Sequence, residues 1–156
     1  MLMWIGFTPS SGRPALLKND SVYSLIKERV ESGGSATLTV TGVSMEPLLK
    51  NGVTVVELSA ATEIKKYDIV LYKRESGAVV LHRVVKLNGD TVNCRGDNEL
   101  VTEKGVEKHR IAAIAVTAET EGKRRALHGL RHRMYGRWRI LRRTVLRIIR
   151  GKRGQR

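Results

Sequence analysis

The sequence predicts a mainly β protein: a compact, strongly bent antiparallel sheet or partial barrel, with a short helix before it and a basic amphipathic helix after it. Three observations carry that expectation. Six short runs rich in Val, Ile, Leu and Thr lie between Ala36 and about Val116, separated by Gly, Asn and Asp: ATLTV, VTVVEL, DIVLYK, AVVLHRVVKL, DTVNCR and IAAIAV. Aromatic residues make up only 4% of the chain, so the core must be aliphatic and must come from those runs. The formal charge of +14 is concentrated at one end: residues 1–122 hold 15 basic and 15 acidic residues, and the 14 basic residues of 123–156 face no acid in that stretch.

Taken in order, residues 1–19 carry Pro9, Ser10, Ser11, Gly12 and Pro14 and read as an irregular arm. Asp20 or Ser21 can cap a helix with apolar positions at Val22, Leu25, Ile26 and Val30, and Gly33 stops it. That helix is expected to cover one edge of the sheet that follows. The strand runs and their polar connections complete a single domain over 20–121, since 156 residues are too few for two ordinary domains. From 122 to 156 the pattern turns helical, with Leu127, Leu130, Met134, Trp138, Leu141, Val145 and Ile148 recurring every three or four residues among arginines. Gly129 and Gly136 weaken the first half of that helix.

Composition excludes several chemistries. Cys94 is the only cysteine, so neither an intramolecular disulfide nor a thiolate zinc cluster can form, and its place in a strand suits a small buried residue better than a nucleophile. No metal site or nucleotide loop is legible, and no cofactor is expected. The opening MLMWIGF is too short to span a bilayer, which needs roughly 20 apolar residues. No membrane anchor and no export signal are therefore expected, and the expected location is the cytoplasm, peripheral to a membrane if the tail docks there.

One stretch calls for a chemical explanation. TGVSMEPLL ends a strand on Ser44 and then prevents the strand from continuing, because Pro47 has no amide hydrogen and biases Glu46 away from helix. A serine at such a corner is either turn chemistry or a nucleophile, and as a nucleophile it needs a base on another element. His128 and His132 belong to the basic tail and His109 to the charged EKHR turn, which leaves His82, inside LHRVV, as the base candidate. Asp97 in RGDNE, with Asn98 and Glu103 nearby, could orient the imidazole.

The order and wording of these segments resemble the signal peptidase family of serine proteases. The nucleophile segment Gly-x-Ser-Met-x-Pro appears here as GVSMEP, the Gly-Asp-Ile-Val strand as YDIVLY, the basic residue before Arg-Val-Val as HRVV, and Gly-Asp-Asn as GDNE. The resemblance runs from about Thr37 to Glu103 and is specific in combination only. It is to the histidine-base form of the family, since His82 stands where the common bacterial enzymes have lysine. It implies the peptidase/repressor-type β core, Ser44 as nucleophile, His82 as general base and Asp97 as acidic partner. Further acidic residues after Gly-Asp-Asn are replaced by LVTEK, where Glu103 is the substitute offered. Gly42, Met45 and Thr39 are the neighbours expected at the oxyanion and substrate positions. Tyr67 in place of the glycine of Gly-Asp-Ile-Val implies a changed turn.

The implied activity is removal of a leader or signal segment from a peptide or preprotein through an acyl-enzyme. Two other readings stand beside it: a self-cleaving repressor-type peptidase, and a non-catalytic binding module whose working part is the tail. Residues 127–150, with one apolar and one arginine-rich face, suit an anionic membrane surface. Packing of the apolar stripe on the β domain is the competing expectation, and nucleic acid ranks below both.

Overall fold

The structure, a computed structural model, describes residues 19–153. The arm expected over 1–19 lies outside the described residues except for Asn19, which opens helix α1 (Asn19–Glu31). Val22, Ile26 and Val30 recur on one face of α1 and are all buried, as the spacing required. Gly33 follows with φ 85°, and its N–H bonds the Val30 carbonyl, which closes the helix end.

Eight strands follow: β1 (Ala36–Thr39), β2 (Val55–Ser59), β3 (Ile69–Lys73), β4 (Val79–Asn88), β5 (Thr91–Arg95), β6 (Glu103–Glu107), β7 (Ile111–Thr120) and β8 (Lys123–Ala126). They form one antiparallel sheet in the order β1-β2-β7-β3-β4-β5-β6, with β8 beside β7, and the path does not close. Register breaks in the β2–β7, β3–β7, β4–β5 and β5–β6 pairs bend it. All six apolar runs are strands. The two extra strands, β6 (EKGVE) and β8 (KRRA), are charged and mostly exposed, so no hydrophobic pattern announces them.

Both faces of the sheet centre are covered. Ile69, Leu71, Val79 and Leu81 join α1, Leu38, Met45, Leu49 and Val56 in one core cluster. Val70, Tyr72, Val80, Val84, Val92 and Cys94 form a second. The period of two therefore sends neighbouring residues of β3 and β4 to opposite sides, and α1 packs on a face across β7 rather than along a sheet edge. Burial pushes the Cys94 thiol up to about 12, so it is an inert core residue.

Helix α2 (Gly129–Arg153) lies against the sheet, but not on its apolar stripe. His132, Gly136 and Arg139 are buried against the β structure, whereas Leu130, Met134, Trp138 and Leu141 are 74%, 63%, 53% and 60% exposed. The expectation that the stripe packs on the domain is overturned: polar groups on the opposite face have specific partners there. Leu127, the first residue of the expected stripe, is buried and precedes the helix.

Candidate functional site

Ser44 sits in the turn between β1 and β2, held from both sides. Met45, Leu48 and Leu49 bury their side chains in the first core and anchor the turn. Its outer side is fastened to the corner after β5: the Asn98 N–H donates to the Ser44 carbonyl at 2.7 Å, and Asn98 Nδ2 donates to the Val43 carbonyl at 3.1 Å. Gly96 is the contact point. A Cβ on Gly96 would lie 2.7 Å from the Ser44 oxygen, 3.0 Å from Ser44 Cβ and 3.0 Å from Glu99 Cδ, so only glycine lets the two turns meet.

His82 lies in β4 opposite Val70 of β3 and is only 2% exposed. Its two nitrogens face different partners. Nδ1 is 3.3 Å from the Tyr72 hydroxyl, which donates its single hydrogen to Glu103 Oε2 at 2.7 Å. The tyrosine oxygen is thus an acceptor toward the ring, which places the histidine proton on Nδ1 and leaves the Nε2 lone pair free. Arg74 completes the chain, donating from Nε to Glu103 Oε2 at 2.9 Å. Nε2 lies 3.6 Å from Glu99 Oε2, and that oxygen accepts from the Gly96 N–H at 3.4 Å. Burial holds the His82 imidazole below its ordinary value; Glu99 opposes that and Arg74 adds to it. Lowered from 6.5, the ring is mainly neutral at pH 7. No hydrogen bond joins the Ser44 hydroxyl to His82.

Arg83 points to the other face, toward α2, and its side chain is fully buried. Its Nε and Nη2 donate to Asp97 Oδ1 and Oδ2, both at 2.7 Å, a bidentate pair with neither side chain exposed. Nη1 donates to the Tyr67 carbonyl at 2.8 Å and to His132 Nε2 at 2.7 Å, and the Tyr135 ring lies 5.8 Å from the guanidinium carbon. Burial, then Arg83, lowers His132 to about 4, which keeps it neutral and able to accept that bond. Arg139 donates from Nη2 to the carbonyls of Glu46 at 3.1 Å and Asp97 at 3.2 Å, so α2 fastens the Ser44 turn and the Asp97 corner together.

Of the expected site residues, His82 and Ser44 are connected only through intermediates: His82 Nε2 lies 3.6 Å from Glu99 Oε2, which also accepts from the Gly96 N–H at 3.4 Å, and Gly96 borders the Ser44 backbone. Asp97 does not orient His82: the alternation of β4 gives its carboxylate to Arg83, on the far side. Glu103 stands one tyrosine removed from the ring, accepting the Tyr72 hydroxyl hydrogen. Met45 is a core side chain, 1% exposed. Gly42 has φ 90° and its N–H is already bonded to Asn51 Oδ1 at 2.9 Å, so that donor is occupied. Thr39 ends β1, which among the described residues has one sheet neighbour and hence one unpaired edge.

Tyr67 adopts the left-handed conformation, φ 77°, where glycine would meet no steric penalty; the side chain there costs about 1–2 kcal/mol. Tyr72, Glu99 and His132 were not anticipated. Tyr72 could have been found by pairing β3 and β4 outward from Gly77, since that register sets Tyr72 diagonal to His82 on one face.

A family model described as signal peptidase, peptidase S26, matches residues 32–135. No curated protein and no solved structure matches the chain.

Proposed function

The chain belongs to the signal peptidase, peptidase S26, family, and from that premise we propose that it is a serine endopeptidase that removes a leader or signal segment from a peptide or preprotein. Ser44 is the nucleophile and His82 the general base. The observation that supports this reading is the setting of His82: Tyr72 and Glu103 engage Nδ1, and Nε2 faces Glu99, whose carboxylate also takes the N–H of Gly96, the residue against which the Ser44 turn packs.

The chemistry proceeds in two halves. Ser44 Oγ bonds to the carbonyl carbon of the scissile peptide as His82 Nε2 takes its proton. The C–N bond then breaks, and the proton passes to the departing amine. Water attacks the resulting ester, again giving its proton to Nε2, and the acid leaves as Ser44 regains its hydrogen. The Glu99 carboxylate faces the imidazolium formed in each half and stabilises it. Among the described residues no acceptor bonds the Ser44 N–H, which leaves it to donate to the oxyanion. The open edge of β1 offers backbone groups to an extended substrate running toward Ser44.

Reaction with a fluorophosphonate probe, followed by intact mass and peptide mapping, tests the assignment. One adduct per chain on Ser44 is expected, absent in Ser44→Ala and slowed roughly 10²–10⁴-fold in His82→Gln, the usual worth of a general base. Labelling that persists in Ser44→Ala would refute it.

A further inference from the structure

Helix α2 has two faces with opposite fates. His132, Tyr135, Gly136 and Arg139 turn toward the sheet and hold Arg83, Asp97 and the Ser44 turn. Directly opposite, Leu130, Met134, Trp138, Leu141 and Val145 follow one another at steps of four, four, three and four, all exposed. At 1.5 Å per residue that stripe is about 22 Å long. Exposed Arg131 and Arg142 border it on one side and Arg137 on the other, and the Arg142 guanidinium lies 5.4 Å from the Trp138 ring centre. Exposed Leu100 and Val101 line, with Arg95, Lys104 and Thr144, a mixed apolar and basic groove between the helix and the corner after β5.

We propose that this face seats the protein on an anionic lipid surface, with α2 in the plane of the interface and the Ser44 turn on the side of the helix away from the lipid. Three features favour lipid over other occupants. A second copy would bring the same arginine borders together, and residues 123–156 contain no acid to offset them. Nucleic acid would pair with the arginines but leave the Leu, Met and Trp stripe uncovered. An anionic bilayer takes both, the side chains at the acyl boundary and the arginines among the headgroups. No helix among the described residues is long and apolar enough to cross a membrane, so the mode is lying on the surface. This docking does not depend on Ser44 being a nucleophile.

The full chain is sedimented with vesicles of phosphatidylcholine alone and of phosphatidylcholine with 30% phosphatidylglycerol, at low and high salt. Binding to the anionic vesicles is expected to exceed binding to the neutral ones at least tenfold. Leu141→Glu and Trp138→Glu, both at exposed positions with helix content checked by circular dichroism, are each expected to weaken it at least tenfold. Ser44→Ala is expected to bind as the unchanged protein does, which separates this result from the fate of the peptidase reading. Equal binding by Leu141→Glu and Trp138→Glu would overturn the proposal, since the stripe would then not enter the lipid. Self-association that both variants abolish, or duplex DNA binding that vesicles do not displace, would equally overturn it by naming another occupant.

Discussion

His82 is subject to opposed influences: burial favours the neutral ring, and the Glu99 carboxylate 3.6 Å away favours the charged one. Burial dominates, so the base is expected to be active at acidities where an ordinary histidine, at 6.5, is already protonated. The acid limb of kcat/KM should lie below that value, and Glu99→Gln should move it further down, because it removes an influence that raises the ring. Tyr72→Phe makes a different cut. Glu103 keeps Arg74, but Nδ1 loses its acceptor, and the rate is expected to fall about tenfold with a stability loss of about 1 kcal/mol, the worth of one hydrogen bond. Nitrogen NMR of His82 would show the Nδ1–H form in the wild type and a tautomer mixture in the variant. Ser44 and His82 were singled out in the sequence by a proline-bounded turn, a histidine among valines and, above all, the resemblance of their segments to one family. Glu99 and Tyr72 were not, because their roles exist only after two turns and two strands have met.

At the scale of elements, adjacent residues of β4 serve separate assemblies. His82 faces the Tyr72–Glu103 side, and Arg83 faces α2. Reading Asp97 as the partner of His82 failed for this reason: the Gly-Asp-Asn corner lies close to both, but only the Arg83 fork meets its two oxygens. Asp97→Asn is accordingly expected to act on stability, costing about 3–5 kcal/mol by leaving a buried guanidinium uncompensated, as a chemical melt would report. The folded fraction should keep its acid limb, moved slightly down, because the Asp97 charge is the smallest of the influences that raise His82. Gly96→Ala makes the reverse test of the corner. Its methyl would meet the Ser44 backbone oxygen at 2.7 Å, which cannot rotate away, so about 1–3 kcal/mol of overpacking and loss of Ser44 labelling are expected together. The six apolar strands could be read from their residues, whereas β6 and β8 are defined by pairing with β5 and β7 and carry no apolar period of their own.

Across the whole molecule, α2 fastens the Ser44 turn and the Asp97 corner on one face and leaves its apolar stripe exposed on the other. The sequence showed its two faces but not which would dock, because amphipathicity normally buries the apolar one. Buried arginine and histidine partners reverse that here. His132 makes the attachment sensitive to acid: held at about 4 when folded, it returns toward 6.5 on unfolding, so the unfolded chain binds the extra proton between those values. Its contribution is complete above about pH 6.5 and is lost as pH falls toward about 4. Thermal melts across that window should therefore slope less steeply for His132→Gln than for the wild type.

The rate at which Ser44 takes up the fluorophosphonate, followed against pH in the wild type and in His82→Gln, tests the proton transfer most directly. A serine relieved of its proton by His82 gives a sigmoid with its midpoint below pH 6.5 in the wild type, and a slow rate without that inflection in the variant. An identical profile in both proteins would contradict the transfer and leave His82 a structural residue.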